Sequence, residues 1–430
     1  MIRPAPPGRA PKPLPVSGPW RLPTLLASPF RLGFSLAMLV LAAASGWWLA
    51  VQAGRALGWP ENGYAVLPVV THATVMALGF LPLFFAGFLF TAGPRWLHVQ
   101  PYEARRLLAP LGLQAAGWLL WLAGARLGLG VALAALALAC AGLIWMYAMF
   151  WRLIAASPLP DRVHALACGV GGIVGALCLA GIGIAVLAEQ PALALALART
   201  ALWGFIVVTF VAVAHRMIPF FTSNALPMVA VWRPFWVLWL MLGMAVFEVL
   251  AVWVDHAAPS EYAWPAWTAA VIAVEALAGG VLLWLAVVWG LVQSLKVRLL
   301  AMLHVGFVWL GLALLYSAAS QALWLLTGQA VLGLGALHAL GMGFLGSLMM
   351  AMVTRVSCGH SGRSLVADDL VWALFWLLQA SVGVRLLAAV QGMTPWLTAL
   401  AALLWTAVVA VWALRYANWY GRPRIDGKPG

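Results

Sequence analysis

Two histidines occupy matching positions in two long apolar segments of the chain, near residues 66–93 and 333–354. His72 and His338 lie about five or six residues into these segments, so helices running the same way put both imidazoles about 8 Å below one surface. Two imidazoles at equal depth suit the axial positions of a haem iron. Hydrogen bonds across a helix bundle would explain the same two residues without a cofactor.

The segment 337–363, LHALGMGFLGSLMMAMVTRVSCGHSGR, carries polar residues at both ends. As a helix it separates His338 from His360 by about 33 Å, roughly the thickness of the hydrocarbon core of a bilayer. These two histidines therefore cannot share one metal ion. On the side of His360, the imidazoles of His215, His304 and His360 and the thiol of Cys358 are ligand types that suit copper. Histidines at a membrane interface also occur with no metal.

The elements that position these residues are membrane-spanning helices. The chain is 65% hydrophobic and only 8% charged, which excludes an ordinary soluble protein. Only helices and closed barrels satisfy their backbone in lipid, and apolar runs of about twenty residues or more indicate helices. We therefore predict an all-α, polytopic bundle of about twelve transmembrane helices. The predicted spans are residues 31–52, 66–93, 106–124, 130–152, 163–187, 195–216, 234–254, 265–293, 299–327, 333–354, 369–389 and 397–418.

The distribution of positive charge orients the bundle. The 24 Lys and Arg residues fall on one side of the twelve spans except for Arg55, Arg126, Arg199 and Arg385. The positive-inside rule makes the basic side cytoplasmic, with both termini on it. This accounts for the net charge of +13 without nucleic acid as a partner. The predicted parts are a disordered Pro-rich cytoplasmic tail (1–28), a twelve-helix transmembrane domain (29–420) and a short basic cytoplasmic tail (421–430).

Three ionisable residues lie within or close to the outer half of the predicted spans. Glu248 and Glu275 lie in the seventh and eighth spans, where a carboxyl group is costly and by default functional. They predict a proton path or cation site, and a protonated pair bonded to helix neighbours is an equal alternative. Arg385, near the outer end of the eleventh span, suits a haem propionate or one of these carboxylates. It would also reach the interface simply by snorkelling.

Several chemistries find no support in the sequence. It contains no P-loop, no H-E-x-x-H and no C-x-x-C-H motif, so nucleotide hydrolysis, zinc proteolysis and covalent c-type haem are unsupported. A haem would therefore be a non-covalent, b-type group. Neither a six-plus-six repeat nor a broken helix is evident, which disfavours a transporter. The sequence leaves open whether the protein is an enzyme.

Four segments resemble the NnrS family in the same order, and the likeness covers nearly the whole chain. They are SPFRLGFSLAMLV (28–40), THATVMALGFLPLFFAGFLFTAGPRWL (71–97), HRMIPFFTSNAL (215–226) and the segment 337–363. The resemblance matches His72, His338, Arg216, Arg355, His360 and Arg363 to residues of the family's motifs. Many members read W-H-x-H-E-M where this chain has Thr71 to Met76, so a metal held by that second histidine and glutamate would lack its ligands here.

The resemblance implies a bacterial inner-membrane protein that carries haem and copper and is linked to nitric oxide metabolism and tolerance of nitrosative stress. A weaker likeness, to haem-copper oxidase and nitric oxide reductase subunits, fails at the seventh span, which lacks paired histidines. We therefore expect a haem-binding, nitric-oxide-handling protein with the bilayer and nitric oxide as partners. The alternatives are an ion-coupled transporter using Glu248 and Glu275, and a non-catalytic sensor or metal-centre protection protein. The resemblance leaves the role of the loop Gly359–Arg363 open.

Overall fold

The part of the chain that the structure describes contains twelve helices long and apolar enough to cross a membrane, as predicted. The computed structural model describes residues 18–258 and 265–428. No β-strand occurs within these ranges. The helices are α1 (Pro29–Ala56), α2 (Pro68–Leu97), α3 (Ala104–Leu127), α4 (Leu129–Ala156), α5 (Val163–Leu187), α6 (Pro191–Ala225), α7 (Phe235–Ala257), α8 (Pro265–Val288), α9 (Arg298–Thr327), α10 (Gly335–His360), α11 (Asp369–Leu387) and α12 (Pro395–Tyr420).

The first helix brings the beginning and the end of the bundle together. It packs against α2 and α3 on one side and against α12 on the other. The contact with α2 is close, because a Cβ added to Gly33 would lie 2.6 Å from the backbone nitrogen of Gly87. Small residues of this kind let helix backbones approach each other in a bilayer. The most buried helices of the bundle are α2 and α6, which contact each other.

The two chain ends meet at one end of the bundle, here called the inner side. The backbone N–H of Arg21 donates to the carbonyl of Gly421 at 2.7 Å, and the Trp20 indole donates to Ala417 at 3.1 Å. A short 3₁₀ helix, Leu22–Ala27, lies in the stretch predicted as a disordered tail over residues 1–28. Within residues 18–28, Trp20 and Arg21 are held to the bundle because the end of the last helix supplies hydrogen-bond acceptors for them. Residues 1–17 of the predicted tail, and residues 429–430, lie outside the described residues.

Three helices depart from regular α geometry near the middle of the bundle. Helix α2 is interrupted between its parts Pro68–Leu78 and Leu81–Leu97, where Pro82 has no N–H to donate to the preceding turn. Helices α6 and α10 contain π-helical segments, Leu202–Val207 and Ala339–Gly346. No broken helix is evident in the sequence, and α2 is kinked rather than unwound, because Gly79 and Phe80 between its two parts keep right-handed helical dihedral angles. Irregular turns of this kind are frequent at functional sites.

Candidate functional site

A cavity of about 420 Å³ lies in the outer half of the bundle, opposite the chain ends. Its walls come from α1, α2, α6, α10, α11 and α12, and all three irregular helices contribute residues to it. The volume falls within the range of cofactor and ligand pockets. The cavity, called the outer cavity below, is largely apolar. Its polar lining residues are Ser45, Gln52, Arg55, His72, Arg199, His338, Arg385 and Thr398.

His72 enters this cavity from the first part of α2. Its ring stacks on Trp48, with ring centroids 3.8 Å apart and an angle of 14° between the planes. The Trp121 indole donates to the carbonyl of Thr71 at 3.2 Å, which ties the adjacent backbone to α3. The Nδ1 atom of His72 is buried and has no hydrogen-bond partner among the described residues. The His72 imidazole is thus fixed in orientation by stacking and has a ring nitrogen without a hydrogen-bond partner, so it is available to a ligand.

His338 enters the same cavity from the start of α10. Its Nδ1 lies 2.9 Å from the carbonyl of Leu334, one turn earlier in the chain. A carbonyl only accepts, so Nδ1 carries the proton and Nε2 is left as the free base. Metal-binding histidines are commonly oriented by such a bond. The structure therefore brings His72 and His338 to one cavity, and of the two only His338 has a carbonyl partner among the described residues.

Three of the four arginines assigned to the outer side line this one cavity: Arg55, Arg199 and Arg385. Arg55 forms an ion pair with Glu61 in the loop between α1 and α2. The hydrogen bond from Arg55 lowers the pKa of the Glu61 carboxyl, which therefore stays ionised at neutral pH. Arg199 and Arg385 form no ion pair with any described residue. Two cationic groups are thus free to bind carboxylates in the cavity.

The residues of the outer cavity fit a haem. The site offers two imidazoles, two arginines that form no ion pair with a described residue, and apolar walls that include Met76, Met342 and Trp405. Gly341 lines the cavity from the π-helical segment of α10, and a Cβ added there would meet no atom within 4 Å. The volume that a side chain at position 341 would fill is therefore part of the cavity. Imidazole ligands in an apolar pocket are a common way for a protein to hold haem.

Sequence reasoning missed part of this lining. In the sequence, Arg199 and Arg55 contribute only to the charge count of the outer side. Their position on the side that has few basic residues was the signal that could have marked them as part of a site. Trp48 was one of many tryptophans near helix ends, so nothing in the sequence distinguished it as the partner of His72. The π-helical segments could not be recognised in the sequence. Their residues are all apolar, so no polar residue marks a change in which side chains face the core.

The four residues predicted as copper ligands divide among separate neighbourhoods. Within the described residues, no group of three or more His, Cys, Asp or Glu side chains is close enough to hold a metal. His215 Nδ1 lies 3.0 Å from His164 Nε2, and His304 Nε2 lies 2.9 Å from the Thr222 hydroxyl. The ring of His360 packs on Phe30, with centroids 5.0 Å apart, and Cys358 is a buried free thiol. The copper set stays a prediction.

Glu248 and Glu275 are buried together between α7, α8 and α9. Gln321 Nε2 donates to Glu275 Oε2 at 2.9 Å, and Ser317 and Glu248 lie within hydrogen-bonding reach of the same carboxyl group. Glu248 Oε1 is buried and has no donor among the described residues. A proton on one carboxyl group would supply that donor. The pair is arranged to hold a proton.

The three motif arginines of the inner side stack on aromatic rings. The guanidinium carbon lies 5.1 Å from the Trp96 ring centre for Arg216, 3.8 Å from Phe221 for Arg355 and 4.0 Å from Trp419 for Arg363. Such contacts stabilise a desolvated guanidinium by about 2 kcal/mol. These arginines therefore hold helix ends together at the inner side.

The loop Gly359–Arg363 is a docking point for the C-terminal residues. The Ser361 carbonyl accepts from the Ile425 N–H at 3.1 Å, and the His360 carbonyl accepts from Arg424 Nη1 at 3.0 Å. Arg424 also pairs with Asp426, which lowers the pKa of that carboxyl well below its ordinary value. The predicted tail 421–430 is thus fastened to the bundle over the residues that the structure describes.

Gly362 is required at this docking point. Its φ is +76°, and a Cβ added there would lie 2.6 Å from the carboxyl carbon of Asp426. We expect Gly362→Ala to lower the free energy of unfolding by about 1–3 kcal/mol, because left-handed geometry and a clash add up. Thermal unfolding in detergent measures it. Gly359→Ala is the matched control, since its Cβ would make only an ordinary contact with Leu365. Equal midpoints for the two variants would contradict the docking role.

The fold and the site define a class: a polytopic, all-α membrane protein with a histidine- and arginine-lined cavity in its outer half. The profile of the family described as NnrS protein matches residues 24–424. The match covers nearly the whole chain, so the protein belongs to the NnrS family. No curated protein matches the chain.

Proposed function

We propose that this membrane protein holds one b-type haem in the outer cavity, between His72 and His338, and uses it to handle nitric oxide. The observation that carries the proposal is the meeting of these two histidines with Arg199 and Arg385 in a single apolar cavity. A bound haem would supply an iron that exchanges electrons, or that binds nitric oxide once one of the two imidazoles has left it. Membership of the NnrS family adds support, and the bacterial inner membrane is the location that it suggests.

The residues of the cavity have separate tasks in this proposal. His338 offers Nε2 as a neutral ligand because the Leu334 carbonyl holds its proton on Nδ1. Trp48 fixes the plane of the His72 ring. Arg199 and Arg385 would hold the propionates of a haem as charge-assisted hydrogen-bond donors. The surrounding methionines and tryptophans would exclude water from its metal.

The experiment that tests this function combines spectroscopy with physiology. The optical spectrum of the detergent-purified protein, taken before and after addition of nitric oxide, is expected to show a haem band that shifts. A strain lacking the protein is expected to grow poorly with a nitric oxide donor and to be rescued by the wild type but not by His338→Ala. Rescue by a haem-free variant would favour a non-catalytic protective role without haem. A haem band indifferent to nitric oxide would contradict the proposed function.

Filling the cavity is expected to remove the haem without unfolding the protein. We expect Gly341→Phe to lose most bound haem, because the new ring occupies space that is open at Gly341. Haem content per chain and the thermal midpoint in detergent measure the two effects. Gly383→Phe is the matched control, because Gly383 is exposed on α11 and its Cβ would also meet nothing. Full haem content in Gly341→Phe would place the cofactor elsewhere.

A second candidate function is proton- or cation-coupled transport through Glu248 and Glu275. The observation that favours it is the unpartnered Glu248 Oε1 beside a second buried carboxyl group. We expect Glu248→Gln to abolish ion-driven uptake in proteoliposomes and His72→Ala to leave it intact. Uptake that depends on His72 and not on Glu248 would remove this candidate.

A further inference from the structure

A second, smaller cavity of about 60 Å³ lies in the inner half of the bundle, between α1, α2, α6, α9 and α10. It is called the inner cavity below. Its walls are almost wholly apolar, and aromatic rings of Phe34, Phe85 and Phe210 form much of them. Neither a histidine nor an arginine is among its lining residues.

The lining excludes water as the natural occupant. The volume exceeds the ~10–15 Å³ that one water molecule needs, but a buried water also needs two to four polar partners. Thr209 is the single lining residue whose side chain carries a nitrogen or oxygen atom. Apolar cavities of this kind stay dry and take up apolar guests such as xenon. A volume of about 60 Å³ suits a guest of a few atoms, such as a diatomic molecule.

The inner cavity adjoins the outer one through a shared side chain. Met349, on α10, lines both cavities. Methionine is unbranched and flexible, so its side chain can change rotamer and let a small guest pass. The neighbouring π-helical segment, Ala339–Gly346, ends three residues earlier in the chain.

We propose that the inner cavity binds a small, uncharged diatomic gas and passes it beyond Met349 into the outer cavity. Gas binding in the inner cavity follows from its volume and its lining alone. Passage of the gas to the outer cavity rests on the proposed function, because a haem in the outer cavity is what would receive the gas. A gas that dissolves in lipid would reach the iron through this site from within the bundle.

Xenon tests the binding site without any haem. Xenon added under pressure to the purified full-length protein is expected to occupy the inner cavity, detected by its anomalous scattering in crystals. Ala214→Val and Ala214→Leu fill the space in two steps, because Ala214 lines it. We expect a graded loss of xenon in these variants and none in Ala192→Leu, at an exposed position of the same helix. No xenon in the wild-type cavity, or full occupancy in Ala214→Leu, would overturn the proposal.

The kinetics of nitric oxide test the route. In protein loaded with haem, the rate constant for nitric oxide binding after flash photolysis is expected to fall on the order of tenfold in Ala214→Leu, a barrier increase of about 1.4 kcal/mol. Met349→Ile stiffens the passage and is expected to slow binding while xenon still occupies the inner cavity. Unchanged rates in both variants would overturn the route. Absence of haem would refute the proposed function, and the xenon result would still decide the binding site.

Discussion

Replacing His72 or His338 with alanine is expected to remove most of the haem from the purified protein. Each imidazole lines the outer cavity, and no other histidine does so. Loss of a partner that merely orients a metal ligand weakens metal binding about 10–100-fold, so loss of a ligand itself should cost at least as much. We expect the double variant to be haem-free. Haem absorbance per chain, measured after size-exclusion chromatography, quantifies the loss.

Two controls separate ligand loss from unfolding. His256→Ala removes an exposed histidine at the outer end of α7, where its ring packs edge-on against Trp253 at 5.7 Å. This variant is expected to keep full haem content. Elution as the same monodisperse species would show that His72→Ala and His338→Ala are folded. An undiminished haem band in the folded double variant would refute the assignment of the ligands.

Arg31→Met is expected to lower the free energy of unfolding by about 3 kcal/mol or more. Arg31 is 1% exposed, and its Nη1 donates to the carbonyls of Tyr420 at 2.6 Å and Arg422 at 2.7 Å. The Tyr420 carbonyl is at the end of α12, where backbone acceptors lack partners within the helix, and the Arg422 carbonyl lies just beyond that end. A hydrogen bond from a charged group is worth about 1.5–3 kcal/mol, and the variant leaves two acceptors unpaired. Methionine retains the apolar stem.

The thermal midpoint in detergent measures the effect of Arg31→Met. Arg105→Met is the matched control, because Arg105 is exposed at the start of α3 and is expected to tolerate the change. Arg31→Lys is expected to recover part of the loss, since an ammonium group can donate to two carbonyls from a shorter stem. If Arg31→Met unfolds at the same temperature as Arg105→Met, the link between α1 and the end of α12 contributes nothing to stability.

The twelve spans were predictable because a bilayer imposes one strong requirement. Each span must be long and apolar, so hydropathy alone locates it. The charge count also put both chain ends on one side, and the bond between Arg21 and Gly421 confirms that they lie together. What hydropathy cannot show is where a helix departs from α geometry. The kink after Leu78 and the π-helical segment from Ala339 involve residues as apolar as their neighbours.

The depth of the site in the membrane was predictable from the sequence, but the lateral arrangement of its residues was only partly predictable. Equal distances from helix starts put His72 and His338 at one level, and a single cavity contains both. The lateral position of a side chain depends on which helices pack together, and neither hydropathy nor residue spacing shows this. For this reason Arg199 was missed as a neighbour of Arg385. For the same reason, His304 and His360 were predicted as ligands of one copper site although their rings pack against different helices.

The central claim is that the outer cavity holds a haem, and the haem content of the wild-type protein tests it most directly. Protein expressed with an adequate haem supply and purified in mild detergent should contain about one haem per chain, as expected for one cavity with one histidine pair. The absorption spectrum should show the bands of a b-type haem. Haem-free protein that also fails to bind added haemin would contradict the claim.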